Sequence, residues 1–221
     1  LSIGFLAFKK NKPPNTQTSN QKDIIQEEIA TNSNTATETP KQEQIKGQEQ
    51  KLAEKEYSPN LYALGKNEHG QLGESDVKEF TDVLVPVAIG KTFVKIAAGR
   101  SHGVGITSEG DVYTWGRNNL GQLGYKTDDI QYNPTPHLVM SGAKDVVVGQ
   151  DHTLVLKKDG TVWGFGSNYT AAIGDGTNTD RTTPVKVSGI SNISNVFTGY
   201  KFSMAIDSSG KVYAWGATCA P

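Results

Sequence analysis

Cysteine is almost absent from this 221-residue sequence, in which Cys219 is the single one. One cysteine excludes an internal disulfide framework. An excess of charge of either sign is also missing, since 22 Lys and Arg stand against 23 Asp and Glu and give a net charge of -1. Such a chain has no sequence-wide positive field to attract nucleic acid or an anionic membrane. We therefore expect no nucleic-acid partner.

Aromatic residues are missing from residues 9–56, which consist largely of Gln, Thr, Asn, Glu and Lys. A segment of this composition cannot bury enough apolar surface to offset the entropy that it would lose on ordering. We predict a disordered linker over residues 9–56. The composition changes near Tyr57, and we predict that residues 57–221 form the folded part of the chain.

The start of the chain lacks an apolar run long enough to span a bilayer, which takes about 20 residues. Residues 1–8 are nevertheless almost wholly apolar, and Lys9 and Lys10 follow them. Because the sequence does not begin with Met, we predict that residues 1–8 end a longer signal or membrane anchor, with a plain hydrophobic start as the alternative. An anchor would tether the protein at the cell surface. The lysines alone favour the cytoplasmic side, so a cytoplasmic location stays open.

Residues 57–221 repeat with a period of about 50 residues. Four short apolar and aromatic segments close on glycines 51, 50 and 50 residues apart, at Gly65, Gly116, Gly166 and Gly216. A second set of glycines keeps the 50-residue step, at Gly99, Gly149 and Gly199. Such a period predicts an architecture in which each unit buries its apolar face only against its neighbours.

Each repeat has the pattern of four short strands. In the first full repeat, runs of strand-forming residues start at Phe93, Gly103, Val112 and Pro136, and turn residues bound each run. Four strands in about 50 residues predict one propeller blade. Between the second and third runs we predict two-residue type I′ turns, at Glu109-Gly110, Asp159-Gly160 and Ser209-Gly210. We expect the aromatic residues of the third runs to fill the space between blades, among them Trp115, Phe165 and Trp215.

Several motifs that recur in register resemble the regulator of chromosome condensation repeat family. They are Gly-x-x-His at 99–102 and 149–152, hydrophobic-Tyr-x-Trp-Gly at 112–116 and 212–216, and Asn-x-x-Gly-Gln-Leu-Gly at 67–73 and 118–124. The resemblance covers residues 57–221 and implies an all-β fold, a seven-bladed β-propeller of which about three four-stranded blades are expected here as an open arc. Residues 173–185 are most similar to bacterial members of the family.

The sequence departs from this pattern at two places. Phe202 stands where a third histidine is expected, and Ala171-Ala172-Ile173-Gly174 replaces the Gly-Gln-Leu-Gly of the other repeats. We expect these blades to form with locally altered turns.

Residues with catalytic or metal-binding chemistry do not form a recognised set. His102 and His152 could ligate a metal, but the equivalent third position is Phe202 and no cysteine or carboxylate cluster recurs beside them. We predict structural histidines that hydrogen-bond to neighbouring backbone. Residues 175–180 resemble a calcium loop but lack the glycine at its sixth position and the later bidentate Glu. We expect no metal, no cofactor and no enzymatic activity.

Two classes of function are consistent with the sequence. The first is a non-catalytic module that binds a protein partner through loops on one face, displayed at a bacterial cell surface or secreted. Within this class, the family resemblance implies guanine-nucleotide exchange on a small GTPase as an alternative. The second class is the non-catalytic part of a polymer-cleaving enzyme. No specific oligomer is predicted, and the identity of the partner stays open.

Positions that differ between the repeats are candidates for partner contacts, because positions dictated by the scaffold agree. Interface energy concentrates in Tyr, Trp and Arg, and we therefore predict partner contacts at Arg100, Tyr169 and Tyr200. The alternative is that these are tolerant loop positions. The predicted structural positions of the repeats are Gly99, His102, Trp115, Gly116, Gly149, His152, Gly166, Gly199, Trp215 and Gly216.

Overall fold

The computed structural model describes residues 61–77, 79–87 and 91–217. The predicted anchor at residues 1–8 and the predicted linker at residues 9–56 lie outside these ranges. The regular elements of the described part are thirteen β-strands. This part contains no helix with the length and apolarity needed to cross a bilayer.

The strands form four antiparallel sheets that follow one another along the chain. Sheet 1 contains β1 (Tyr62–Lys66) and β2 (Phe80–Pro86). Sheet 2 contains β3 (Phe93–Ala98), β4 (His102–Thr107), β5 (Val112–Gly116) and β6 (His137–Met140). Sheet 3 contains β7 (Ala143–Val148), β8 (His152–Lys157), β9 (Val162–Gly166) and β10 (Arg181–Lys186), and sheet 4 contains β11 (Ile193–Thr198), β12 (Phe202–Asp207) and β13 (Val212–Gly216).

Within each sheet, consecutive strands are hydrogen-bonded neighbours, so every sheet is a simple meander. In sheet 2, Ala98 pairs with Gly103 across the first hairpin and Ile106 pairs with Val112 across the second. Sheet 3 has the same register one repeat later, with Val148 opposite Thr153. The predicted all-β fold and its four-stranded blades are confirmed.

The loops between the second and third strands are not the predicted type I′ turns. In the first, the N–H of Gly110 donates to the carbonyl of Thr107, and the N–H of Thr107 donates to the carbonyl of Asp111, both at 3.0 Å. Gly110 has a φ of +94°, whereas Glu109 is not among the residues with positive φ. The loop therefore has three residues and closes on a left-handed glycine, because a type I′ turn would require positive φ at the glutamate as well.

The apolar core lies between neighbouring sheets. One cluster joins sheets 1 and 2 around the buried Trp115, a second joins sheets 2 and 3 around Phe165, and a third joins sheets 3 and 4, with Trp215 packed against it. The prediction that these aromatic residues fill the space between blades is confirmed. A sheet that buries its face in this way depends on its neighbours for its core.

The indole groups also hydrogen-bond across these boundaries. Nε1 of Trp115 donates to the carbonyl of Gln71, and Nε1 of Trp215 donates to the carbonyl of Ala172, both at 2.9 Å. A Cβ atom on Gly174 would lie 2.5 Å from Nε1 of Trp215. Glycine ends this loop because the indole approaches its backbone closely.

A buried asparagine organises the loop after the third strand of sheet 3 as it does in sheet 2. Oδ1 of Asn168 accepts from the N–H of Ile173 at 2.9 Å, and Oδ1 of Asn118 accepts from the N–H of Leu123 at 3.0 Å. Ala171 has a φ of +60° where the equivalent Gly121 has +78°. The expected alteration of this turn is therefore wrong. The asparagine fixes the loop, and the alanine adopts the left-handed conformation that glycine adopts elsewhere.

Candidate functional site

His152 links sheet 3 to sheet 4. Its Nε2 lies 3.1 Å from Oγ of Ser203, and that hydroxyl donates in turn to the carbonyl of Ala172 at 2.7 Å. Because the Ser203 proton is used in this second bond, His152 donates from Nε2–H. The structural role of His152 stays a prediction. The predicted backbone partner is wrong, because the histidine binds a hydroxyl of the next sheet.

His102 makes the same link between sheets 2 and 3. Its Nε2 lies 3.2 Å from Oγ1 of Thr153, which donates to the carbonyl of Gln122 at 3.4 Å. Burial lowers the pKa of His102 to about 3 and the pKa of His152 to about 4. Both imidazoles are neutral at physiological pH, as a buried ring with a single hydroxyl partner must be.

The glycine three residues before each histidine lies against the imidazole ring. A Cβ on Gly99 would be 2.3 Å from Cε1 of His102, and a Cβ on Gly149 would be 2.1 Å from Cε1 of His152. Such distances are far below van der Waals contact, so only glycine fits. The hairpin between the first and second strands is thereby held tightly against its own histidine.

These hairpins form a continuous row, called here the loop row and defined as residues 99–101, 149–151 and 199–201. The N–H of Arg100 donates to the carbonyl of Gln150 at 2.9 Å, and the N–H of Gln150 donates to the carbonyl of Tyr200 at 3.1 Å. The backbone is the same at each step while the side chains differ. The loop row thus presents variable side chains on a fixed frame.

The residue after each third strand joins the loop row through its backbone. In sheet 3, the N–H of Ser167 donates to the carbonyl of Asp151 at 2.8 Å, and in sheet 2 the N–H of Arg117 donates to the carbonyl of Ser101 at 2.9 Å. The loops that begin at residues 117 and 167 therefore lie on the same face as the loop row. This arrangement brings Tyr169 to that face.

The structure brings two of the three predicted contact residues together. Nζ of Lys201 lies 5.0 Å from the ring centroid of Tyr169 and 5.3 Å from that of Tyr200. The two tyrosines are 55% and 65% exposed. Arg100 is exposed one hairpin further along the loop row. The role of these three residues in binding stays a prediction.

A small depression lies where the loop row meets the loop that contains Tyr169, and its lining includes Gln150, Asp151, Ser167, Tyr169, Tyr200 and Lys201. Burial raises the pKa of the Asp151 carboxyl, although the positive charges of Arg100, Arg117 and Lys201 act to lower it. Among the described residues, Oγ of Ser167 and Oε1 of Gln150 are buried without a hydrogen-bond partner. The depression therefore offers a half-buried carboxylate and two polar oxygen atoms with unused bonding capacity.

Sequence reasoning missed Asp151, Ser167 and Lys201 as parts of this site. Asp151 and Lys201 occupy the same position in successive repeats with opposite charge, and that contrast was a usable signal. The choice of Tyr and Arg as candidate contacts did not take this charge contrast into account. Ser167 gave no signal, because only the fold brings it beside Asp151.

Metal ligation finds no support among the residues that the structure describes, where no three His, Cys, Asp or Glu side chains form a cluster. In the loop that resembles a calcium site, Asp175 accepts from Asn168 at 3.0 Å and from Thr177 at 2.9 Å, and it pairs with Arg181 at 2.5 Å. The arginine supplies the positive charge beside this carboxylate.

Comparison with protein families gives a match to the Regulator of chromosome condensation (RCC1) repeat over residues 60–106, 109–156 and 159–206. Among similar sequences, the Protein RCC2 homolog of Xenopus laevis is 38% identical over 90 residues, which are 39% of this chain and 17% of that protein. The chain thus spans less than a fifth of that relative.

Many solved chains are similar to this fold, and two of them illustrate the match. Human WBSCR16 aligns with a TM-score of 0.63 and 22% identity, over 71% of this chain and 42% of that chain. Yeast RCC1 (Prp20), solved bound to Kap60, aligns with a TM-score of 0.61 and 22% identity, over 71% of this chain and 39% of that chain. The relatives named here come from frog, human and yeast, and the similarity to bacterial members stays a prediction.

Proposed function

The chain belongs to the regulator of chromosome condensation (RCC1) repeat family, and we propose that it is a non-catalytic module that binds a protein partner through the loop row. The observation that carries this proposal is the contrast between the fixed backbone of the loop row and its variable side chains. Three hairpins repeat the same hydrogen bonds but present Arg100, Gln150 and Tyr200 at equivalent positions. A rigid frame with exposed variable residues is suited to recognition.

The exposed tyrosines give further support. Tyr169 and Tyr200 expose large rings at the surface and take no part in the apolar cluster that sheets 3 and 4 bury between them. Aromatic and arginine side chains are enriched among the residues that dominate interface energy. Arg100 adds a guanidinium on the same face, and we propose that all three contact the partner.

The test compares two triple variants of the whole chain. The first variant changes Arg100, Tyr169 and Tyr200 to alanine. The second, the control, changes Glu109, Lys158 and Lys211 to alanine. These three control residues lie in or beside the hairpins at the opposite ends of the strands. Melting temperature and binding to a cell-surface extract are measured for both. We expect the first variant alone to lose binding with little change in melting temperature. Equal binding by both variants would refute this assignment.

Display at a bacterial cell surface, or secretion, is part of the proposal. Its support is the apolar character of residues 1–8 and the composition of residues 9–56, which together have the form of an anchor or signal followed by a tether. Protease treatment of intact cells tests it, because a displayed propeller is cleaved from outside and a cytoplasmic one is protected.

Guanine-nucleotide exchange on a small GTPase is the alternative within the same class, and it comes from family resemblance alone. Release of a fluorescent nucleotide from candidate GTPases would establish it. A part in a polymer-cleaving enzyme is the second alternative, which activity in the longer protein would establish.

A further inference from the structure

Lys201 occupies a slot that two exposed aromatic rings define. Its ammonium lies within about 6 Å of both ring centroids, the range of an effective cation–π contact. Neither Tyr169 nor Tyr200 belongs to the apolar clusters between the sheets. The slot therefore holds a cation without contributing to the core.

The depression at this slot has hydrogen-bonding capacity that Lys201 leaves unused. Ser167 is only 7% exposed, and its Oγ has no partner among the described residues. Oε1 of Gln150 is buried and unpartnered in the same depression. Asp151 adds a half-buried carboxylate, which hydrogen bonds from a charged donor would stabilise strongly. Two unpartnered oxygen atoms and a half-buried carboxylate call for a donor with several N–H groups.

A guanidinium group fits these requirements better than the resident ammonium. Arginine presents five N–H donors in a planar fork, and the plane stacks on aromatic rings. An ammonium carries three donors on a compact centre, and in the structure it leaves Ser167 and Gln150 unpaired. We propose that the slot between Tyr169 and Tyr200 binds an arginine side chain of the protein partner, and that Lys201 is an internal competitor which the arginine displaces.

This inference rests on the proposed function, because it names the chemical group of the partner that the loop row recognises. Displacement of Lys201 leaves Asp151 as the charged residue lining the depression. Arg100 and Arg117 also act on the Asp151 carboxylate. They weaken its attraction for a further cation, so we expect an isolated arginine side chain to bind with a Kd on the order of 1 mM.

The probe is the blocked tripeptide acetyl-Gly-Arg-Gly-amide, compared with peptides that carry citrulline, lysine or glutamate at the central position. Citrulline matches arginine in shape but lacks the charge. Binding to the whole chain is followed by NMR titration for the wild type, Lys201→Ala, Lys201→Gln and Asp151→Asn. Lys211→Ala is the matched control, because Nζ of Lys211 lies 4.8 Å from the ring centroid of Tyr213 in a similar pair at the start of β13.

We expect both Lys201 variants to bind the arginine peptide about tenfold more tightly than the wild type, because the competitor is gone. Asp151→Asn is expected to weaken binding by about tenfold, the effect of a lost charge-assisted hydrogen bond. Lys211→Ala should match the wild type. The shifted resonances should include those of Ser167 and Tyr200.

Equal binding of the arginine and citrulline peptides, or of the arginine and lysine peptides, would overturn the inference. Tighter binding of the glutamate peptide that is lost in Lys201→Ala would also overturn it and would make Lys201 a direct contact to an acidic partner. If the alanine variant of Arg100, Tyr169 and Tyr200 loses the partner while no variant binds arginine, only this inference fails. If that variant keeps the partner, the proposed function fails independently of the peptide result.

Discussion

Replacement of His152 by phenylalanine should remove part of the pH dependence of folding while leaving the blade intact. The chain already contains this arrangement one repeat later, where Phe202 lies against Gly199 as His152 lies against Gly149. The hydroxyl of Ser203 loses the imidazole but keeps its bond to the carbonyl of Ala172. The cost near neutral pH is therefore one hydrogen bond, about 1 kcal/mol.

The sign of the pH effect follows from the lowered pKa of the histidine. In the folded chain the pKa of His152 is about 4, against an ordinary value of 6.5 in the unfolded chain. The unfolded state thus binds more protons as the pH falls below 6.5, and the stability that the neutral histidine contributes is lost in that range. At pH 5 the loss is about 2 kcal/mol relative to pH 7.5. The pKa of His102 is lowered to about 3 by burial and shifts stability in the same direction.

The assay is urea unfolding of the whole chain at about pH 7.5, 6 and 5. The wild type, His152→Phe and the double variant His102→Phe/His152→Phe are compared at each pH. Carboxylates titrate alike in all three proteins, so the difference between the curves isolates the histidines. We expect His152→Phe to be slightly less stable than the wild type near neutral pH and more stable at pH 5, and the double variant to show the flattest pH dependence.

Parallel stability curves for the wild type and His152→Phe would refute this reasoning. They would mean that His152 binds its proton equally well in the folded and unfolded chains, and that burial does not keep the ring neutral. Loss of folding at all pH values in His152→Phe would instead show that sheet 3 cannot accommodate a phenylalanine in the way that sheet 4 accommodates Phe202.

Three further predictions concern the backbone and the linker. Ala171→Gly should raise the free energy of unfolding by about 1 kcal/mol, because it relieves a left-handed alanine, and a chemical denaturation curve without that gain would contradict it. Gly149→Ala should cost more than about 3 kcal/mol, because its Cβ would collide with His152, and the loss should shrink in a His152→Ala background. Residues 9–56 should be cut by a protease well before residues 61–217, whereas equal protection in a time course would count against a disordered linker.

The sequence was enough to predict the blades because the pattern is redundant. Every strand of sheet 2 starts within one residue of its predicted position, and sheet 3 repeats the pattern 50 residues later. The hairpin turns were predicted less well. The pair Asp159-Gly160 is typical of a two-residue turn, but the backbone of Asp159 does not adopt positive φ, and the loop takes a third residue instead.

The candidate site could be predicted only in part, because it joins residues from two repeats. Tyr169 and Tyr200 stand out by their residue type, but nothing local tells that Lys201 lies between their rings. The partner of His102 is equally hidden. Thr153 lies 51 residues further along, and only the stacking of sheets 2 and 3 brings its hydroxyl to the imidazole.

The bonds between histidine and hydroxyl also determine the order in which blades can follow one another. A blade with a histidine equivalent to His102 must be followed by a blade with a hydroxyl at the position equivalent to Thr153. In sheet 2 the residue at that position is Gly103, which has no hydroxyl. A larger residue would not fit there, since a Cβ on Gly103 would lie 2.4 Å from the ring of Trp115. Sheet 2 is therefore a poor substitute for sheet 3 in a permuted array. Protein engineers who wish to shuffle these repeats would need to move the matching half of the next blade along with each histidine.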